Sequence, residues 1–217
     1  VHGVGPKKAA ELLKLGIQSI EDLREHAGVE EILTDAQIIG VNYYEDLNTR
    51  IPRKEIEKHE ILLKKMLSNV DPSAELTIAG SYRRGCEDSG DIDVLIKSKD
   101  KKTYNQFIEK LKVMKYLIED LAYGNKKYNG ISRLGTSGIG RRIDIMYTKP
   151  EEYPFAILYF TGSGDFNKKM REQINDMGMS INEYSLKDME TKKKVDQKFE
   201  VEKDIFDYLN MLYVDPT

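Results

Sequence analysis

Three aspartates in two predicted strands are the residues of this chain best suited to chemistry. In a strand, residues two apart lie on one face, so Asp91 and Asp93 point together while their apolar neighbours point into the core. Such a pair of like charges is costly unless a cation neutralises it, and Mg²⁺ prefers carboxylate oxygens. For an isolated Asp-x-Asp a solvated strand edge is the commoner alternative, so the neighbouring motifs decide between the two.

The third aspartate, Asp144, lies in another predicted strand, where it shares a face with Arg142 and Met146. A third strand carboxylate beside a pair is what a two-metal phosphoryl-transfer site requires. In such a site one ion activates an attacking hydroxyl and the other holds a triphosphate. Arg142 is expected to orient the Asp144 carboxylate.

A loop rich in glycine and arginine lies between the first two predicted strands. Gly80 and Gly90 allow a ligand to approach the backbone closely. Ser81, Arg83 and Arg84 would add donors and positive charge for phosphate oxygens. An ordinary turn with solvated arginines explains the motif alone about equally well.

An aromatic pair is followed by a glycine-rich turn, in the segment Tyr159-Phe160-Thr161-Gly162-Ser163-Gly164. Such a pair can wall a sugar or base pocket. On the helix predicted after it, Asn167 and Arg171 lie four residues apart on one face. Taken alone, these residues are better explained as core aromatics and a solvated polar pair.

The elements that must position these residues change in character along the chain. Up to about residue 70 the chain is predicted to be helical, with a glycine hairpin at 3–9, a Ser19–Asp22 capping box, helical patterning over 34–47 and a long helix opened by Pro52. Later elements are strands over 75–79, 91–97, 128–134 and 141–147, helical stripes from Tyr104 and from Phe166, and a final helix over 203–212.

Composition limits the class of protein. A chain of 217 residues, 40% of them hydrophobic, can bury a core without disulfides, and its single cysteine, Cys86, favours an intracellular compartment. The net charge of −3 does not itself predict nucleic-acid binding, although carboxylates gathered around metal would cancel lysines elsewhere. No apolar run approaches the roughly 20 residues that cross a bilayer, so no membrane partner is expected.

Taken in order, the motifs closely resemble those of the family X DNA polymerases, most of all the polymerase beta-like members. The resemblance extends from about Gly3 to the end of the chain. Any one motif is moderately specific, whereas the ordered set is very specific. The motifs are Gly80-Ser81-Tyr82-Arg83-Arg84-Gly85, Ser89-Gly90-Asp91-Ile92-Asp93-Val94, Arg141-Arg142-Ile143-Asp144, Tyr159-Phe160-Thr161-Gly162-Ser163 and Ile181-Asn182-Glu183-Tyr184, with Arg50-Ile51-Pro52-Arg53 and the terminal stretch 202–208.

The resemblance implies an α+β fold in three parts. These are a helical DNA-binding region with a helix-hairpin-helix over 1–70, a catalytic palm with a nucleotidyltransferase-type mixed sheet over 71–153, and a small α/β nucleotide-selection subdomain over 154–217. It implies template-directed addition of deoxynucleotides to a DNA 3′-hydroxyl by two-metal phosphoryl transfer, in short-gap filling during DNA repair. Gapped or primer–template DNA and a dNTP are the expected partners of a monomer that lies inside the cell, in the nucleus of a eukaryote.

The resemblance also implies roles for single residues. Asp91 and Asp93 would bind two Mg²⁺ ions, and Asp144 would complete the site on the primer side. The triphosphate would be held by Arg50, Ser81, Arg84 and Gly90, and the sugar by Tyr159, Phe160 and Gly162.

Contacts with DNA are implied in two places. Asn167 and Arg171 would touch the minor-groove side of the nascent pair and the template, and Lys168 would lie near the templating base. In the N-terminal hairpin, backbone N–H groups around Gly3-Val4-Gly5 would meet phosphates. Carbonyls around Val1 and Val4 would share a monovalent ion, Na⁺ or K⁺, with DNA.

Several departures from the family pattern qualify these expectations. Gly164 stands where close relatives carry an acidic residue, which would loosen contact with the incoming base. Met146 stands where some relatives carry arginine, which puts in doubt gating by a salt bridge to Asp93. The loop at 135–140 is short, whereas template-independent relatives use a longer one, so templated synthesis is expected. No lyase domain is covered, so the chain is interpreted as a fragment without lyase activity.

Two alternatives stay open on the sequence. Another nucleotidyltransferase, acting on RNA ends or small molecules, would share Gly80-Ser81 and the aspartates. A non-catalytic DNA-end-binding module would keep the hairpin and basic clusters such as 192–194, but would gain nothing from three aligned carboxylates.

Overall fold

The N-terminal part of the protein is a group of short helices. The computed structural model describes residues 1–217 throughout. The predicted capping box is present: the Asp22 N–H donates to the Ser19 hydroxyl at 3.0 Å, and the Ser19 N–H donates to the Asp22 carboxylate at 2.9 Å. Leu12, Leu23 and Val41 help to bury a small core of this region. The helices are α1 (Pro6–Lys14), α2 (Ile20–Glu25), α3 (Val29–Ile32), α4 (Asp35–Asn42) and α5 (Tyr44–Asn48).

A five-stranded mixed sheet lies at the centre of the protein. This region consists of β1 (Ile51–Pro52), α6 (Arg53–Val70), β2 (Glu75–Ile78), α7 (Gly80–Arg83), β3 (Asp88–Ser89), β4 (Ile92–Lys97), α8 (Lys102–Val113), β5 (Leu117–Tyr123), β6 (Lys127–Ser132) and β7 (Arg141–Thr148). The strand order is β2-β4-β7-β6-β5. Only β4 and β7 run parallel, while β1 and β3 form a separate antiparallel pair. The predicted α+β fold with a mixed sheet is confirmed.

One face of this sheet is covered by α6 and α8. Ile92, Val94 and Ile96 of β4 alternate into a core of 20 buried residues, in which they meet Leu63 of α6 and Phe107 of α8. Helix α6 therefore packs in the central core, although the sequence pattern grouped it with the N-terminal helices. The other residues of β4, including Asp93, face the opposite side of the sheet.

The C-terminal part packs against that opposite side through one helix. Ala156 and Ile157 of α9 lie against Leu95 and Met146 of the sheet. Phe155, on another side of the same helix, belongs to a second core of nine buried residues. The elements of this part are α9 (Tyr153–Thr161), α10 (Gly164–Asp176), β8 (Met179–Asn182), β9 (Ser185–Asp188) and α11 (Glu202–Tyr208).

A buried ion pair fixes the start of β7. Arg141 is 2% exposed, and its guanidinium donates to both carboxylate oxygens of Glu55 at 2.7 and 2.9 Å. The N–H of the preceding residue, Gly140, donates to the Asp46 carboxylate at 2.7 Å. The strand that carries Asp144 is thus held to α6 and to the N-terminal helices. None of the helices in the protein is both long enough and apolar enough to span a membrane.

Candidate active site

The three predicted aspartates lie together beside the sheet. The parallel pairing of β4 with β7 puts Asp93 directly beside Asp144, and Asp91 comes just before β4. One ligand oxygen from each carboxylate lies within 4.8 Å of the other two. The fold therefore joins two motifs that are distant in the chain into one cluster of acidic groups.

The electrostatics of this cluster favour a cation. Burial raises the pKa of Asp93 to about 7, and the neighbouring Asp144 carboxylate acts in the same direction, against the influence of Lys127 and Arg84. The positive groups of the protein therefore do not compensate for the burial of Asp93 and for the charge of Asp144. Three converging carboxylates are the oxygen ligands that hard divalent cations such as Mg²⁺ prefer, so the cluster fits a divalent metal.

Two neighbours hold the outer carboxylates. Arg142 forms an ion pair with Asp91, not with Asp144 as the sequence suggested. The reason is the register: Ile143 pairs with Ile92, so the preceding Arg142 lies beside the start of β4. Asp144 is instead held by Asn129 of β6, whose Nδ2 donates to Oδ1 of the carboxylate at 2.6 Å.

Asn129 was not identified from the sequence. The feature that could have identified it is its position between the buried Tyr128 and Gly130 of a predicted strand. The alternation of a strand places the Asn129 side chain on the face opposite to theirs. Lys127 was missed in the same way. Its ammonium lies 5.4 Å from the centroid of the Phe160 ring, close to the same site.

A cavity of about 400 Å³ opens beside the carboxylates, within the size range of small-molecule sites. Asp91 and Asp93 form part of its wall. A larger groove of about 540 Å³, lined by residues that include Lys97 and Tyr184, contains none of the three aspartates. All eight residues predicted to bind a nucleotide line the smaller cavity: Arg50, Ser81, Arg84, Gly90, Tyr159, Phe160, Gly162 and Asn167.

The polar wall of the cavity is built from α7 and the strands around it. Gly80 has φ +57°, and a Cβ there would collide with the Asp93 carboxylate, so this position requires glycine. The Ser81 hydroxyl donates to the Ser89 hydroxyl at 2.7 Å. Arg50 is held by the Asp88 carboxylate, with nitrogen–oxygen distances of 2.7 and 3.0 Å.

The two adjacent arginines of the loop have different partners. Nη1 of Arg84 donates to the Thr161 carbonyl at 2.5 Å, which keeps this side chain at the cavity wall. Arg83 donates to both carboxylate oxygens of Glu202 at 3.0 and 2.5 Å and to the Thr161 hydroxyl at 2.6 Å. The phosphate contact considered for Arg83 is thus replaced by a link between α7 and α11.

The aromatic wall lies at the end of α9. The Tyr159 and Phe160 rings meet edge to face with centroids 5.2 Å apart. The Asn167 side chain donates to the Tyr159 carbonyl at 2.7 Å, and the Arg171 guanidinium lies 4.9 Å from the Tyr159 ring centroid. Lys168 is exposed and is not part of the cavity wall.

The residues just before the N-terminal hairpin lie across a crevice of about 340 Å³ from Asp91, and the lining of this crevice includes Val1, His2 and Arg142. Within the hairpin, the Val4 N–H donates to the Val1 carbonyl at 3.2 Å. The Gly3 and Gly5 N–H groups make no hydrogen bond within the protein. These two donors are therefore available to an external acceptor.

Comparisons with known proteins cover almost the whole chain. Residues 1–48 match the family described as the fingers domain of DNA polymerase lambda, residues 50–150 the DNA polymerase beta palm, and residues 156–217 the DNA polymerase beta thumb.

Individual relatives agree with the family matches. The chain is 32% identical to DNA polymerase lambda of Rattus norvegicus and 29% identical to DNA polymerase lambda of Arabidopsis thaliana. It is 27% identical to DNA nucleotidylexotransferase of Xenopus laevis. All of this chain is matched in each case, against 40%, 44% and 50% of those relatives, so it spans half their length or less.

Proposed function

The chain belongs to the family X DNA polymerases, and on that premise we propose that it catalyses template-directed addition of a deoxynucleotide to a DNA 3′-hydroxyl, in short-gap filling during repair. One observation carries the proposal: a single cavity joins the aspartate cluster to the side chains expected to hold the triphosphate and the sugar. The relatives named DNA polymerase lambda support a DNA substrate.

Asp91, Asp93 and Asp144 would hold two Mg²⁺ ions, which when bound neutralise triphosphate charge and make the attacking hydroxyl more acidic. Arg84 and the Ser81 hydroxyl bind triphosphate oxygens, while Arg50 is kept at the cavity edge by Asp88. Gly90, in the cavity wall, has no side chain that would crowd the Arg50 guanidinium. The chain contributes positioning and fixed charge to the reaction, without a covalent enzyme intermediate.

Sugar selection is assigned to the aromatic wall. Tyr159, Phe160 and Gly162 pack against the deoxyribose, and the Tyr-Phe pair disfavours a 2′-hydroxyl. The support for this role is that both rings line the cavity, and that the Arg171 and Lys127 cations lie 4.9 and 5.4 Å from the Tyr159 and Phe160 ring centroids.

DNA runs between the hairpin and the aspartates. The free N–H groups of Gly3 and Gly5 meet backbone phosphates, and a Na⁺ or K⁺ ion is shared at the carbonyls around Val1 and Val4. Lys168 reaches the templating base, and Asn167 with Arg171 reaches the minor-groove side of the nascent pair. The protein acts as a monomer, inside the cell and in the nucleus of a eukaryote.

The three functional regions follow the cores of the fold. We assign the N-terminal helices to DNA binding, the sheet to catalysis and the region from about residue 154 to nucleotide selection. Because α6 packs in the central core, it belongs with the catalytic region.

Single-nucleotide insertion into a one-nucleotide gapped duplex with Mg²⁺ tests the proposal, with each dNTP and each rNTP offered separately. Only the complementary dNTP is expected to be inserted. Insertion regardless of the template base would indicate an exotransferase, and ribonucleotide transfer without DNA would indicate another nucleotidyltransferase. Gapped-DNA binding without any insertion would favour the non-catalytic binding module.

A further inference from the structure

We propose that Asn129 is a positioning residue that sets the orientation of the Asp144 carboxylate. The inference rests on the proposed function, since it concerns the same site. Its basis is the hydrogen bond from Nδ2 of Asn129 to Oδ1 of Asp144, with a nitrogen–oxygen distance of 2.6 Å.

The sheet places Asn129 for this role. It lies directly opposite Asp144 in the antiparallel pair of β6 and β7, and Asp144 in turn lies directly beside Asp93 of β4. The three side chains thus form a row across three neighbouring strands, on the face that carries the cavity. Cross-strand neighbours of this kind have Cβ atoms about 5 Å apart, so the backbone ladder fixes how closely the amide approaches the carboxylate.

Asp144 depends on this amide because it has no other hydrogen-bond donor. Arg142, the nearest cation in the sequence, is paired with Asp91. Oδ1 of Asp144 is therefore held by Asn129, and Oδ2 accepts no hydrogen bond within the protein.

The chemistry of an amide suits the position. The side chain of asparagine donates N–H groups but carries no charge, so it orients a carboxylate without cancelling the charge. A lysine or arginine here would compete with a bound cation, an aspartate would repel Asp144, and a leucine would offer no donor. Outer partners of metal-binding carboxylates typically contribute about 10- to 100-fold to metal affinity or activity.

The test compares Asn129→Leu, which keeps the branched shape of the side chain and removes the donor, with the wild type and with Asn125→Leu. Asn125 is exposed in the turn before β6, so the same substitution there controls for an added apolar side chain. Three quantities are measured: kcat and KM for the gap-filling dNTP, Mn²⁺ affinity of the DNA-free protein by electron paramagnetic resonance, and the thermal midpoint.

We expect Asn129→Leu to lower kcat by about 10- to 100-fold and to weaken Mn²⁺ binding by about 10-fold, with much less change in KM. Asn125→Leu should match the wild type, and gapped-DNA affinity and the thermal midpoint should be the same in all three proteins. If leucine disturbs the sheet, Asn129→Ala removes the amide without adding an apolar group, and the same losses are expected.

A double-mutant cycle separates positioning from a general structural effect. In an Asp144→Ala background, replacing Asn129 should no longer change Mn²⁺ affinity, because the carboxylate that it orients is gone. Wild-type kcat and Mn²⁺ affinity in Asn129→Leu, or an equal loss of affinity in both backgrounds, would overturn the inference. A wild-type protein that inserts no nucleotide would refute the proposed function, while the Mn²⁺ measurements would still decide the role of Asn129.

Discussion

The absence of a side chain at Gly80 leaves space for the Asp93 carboxylate, and Gly80→Ala tests whether the site needs that space. A Cβ added there would meet the Asp93 carboxylate, and the backbone has φ +57°. The carboxylate would have to leave the position that it occupies in the cluster with Asp91 and Asp144. We therefore expect two separable losses, one in stability and one in turnover.

The loss of stability follows from the backbone. A non-glycine residue in the left-handed region costs about 1–2 kcal/mol. For a protein of this size such a loss lowers the thermal midpoint by about 2–8 °C. The loss of turnover follows from the carboxylate, because a displacement of about 1 Å in a reacting constellation can lower the rate by about 100-fold.

Gly178→Ala is the matched control for this experiment. Gly178 has φ +74°, but a Cβ there would meet nothing within 4 Å. It should show the same fall in thermal midpoint as Gly80→Ala and insert nucleotide at the wild-type rate. Calorimetry and single-turnover insertion into gapped DNA measure the two effects. Equal insertion rates in the two variants would refute the argument that the missing side chain at Gly80 makes room for Asp93.

Three further predictions concern charge. Asp144→Asn should abolish insertion while gapped-DNA affinity stays within about twofold of wild type, because the substitution is isosteric and removes one charge of the cluster; comparable turnover would contradict the metal assignment. Glu202→Gln weakens the charged hydrogen bonds to Arg83, so the free energy of unfolding in urea should fall by about 2 kcal/mol, and an unchanged value would mean that the pair adds nothing. Burial lowers the folded-state pKa of His59 from 6.5 to about 4. The unfolded state therefore takes up a proton on this residue at a higher pH than the folded state does. Above pH 6.5 the free energy of unfolding is not affected, and as the pH falls towards 4 it decreases, by about 2–3 kcal/mol between pH 7.5 and 4.5. The free energy of unfolding of His59→Gln should lack this decrease. Parallel profiles of unfolding free energy against pH for the two proteins would contradict the role given to His59.

The elements that sequence patterns predicted are those with one buried side. The alternation around Asp93 placed it opposite Ile92 and Val94, and the structure has the same arrangement because one face of β4 is core and the other is the site. The capping box at Ser19 depends on neighbours in the chain alone, so it too was predictable.

Helix α9 escaped prediction for the opposite reason. Its sequence, Tyr-Pro-Phe-Ala-Ile-Leu-Tyr-Phe-Thr, is apolar on nearly every side because the helix packs between two cores, so it has no amphipathic period. Strand β5 lacks a clean alternation because its register with β6 shifts twice, between Leu117 and Glu119 and between Asp120 and Ala122.

The side-chain partners within the site depended on tertiary structure. The contact between Asn129 and Asp144 requires the register of β6 against β7, and the pairing of Arg142 with Asp91 requires the parallel register of β4 and β7. Neither register follows from the spacing of residues along one strand. Sequence patterns therefore identified the acidic residues themselves more readily than the groups that hold them.

The anchoring of β7 at Arg141 and Gly140 bears on how this site can change in evolution. The loop that ends at Gly140 is anchored where β7 begins. Glu55 holds the Arg141 guanidinium, and Asp46 accepts from the Gly140 N–H. Insertions before this anchor would lengthen a loop at small entropic cost. The contacts of Gly140 and Arg141 would still fix the register of the strand that carries Asp144. The length of the loop before β7 can therefore change without moving Asp144 from its place beside Asp93. The anchor thus separates a part of the protein that is free to diversify from a part that is not.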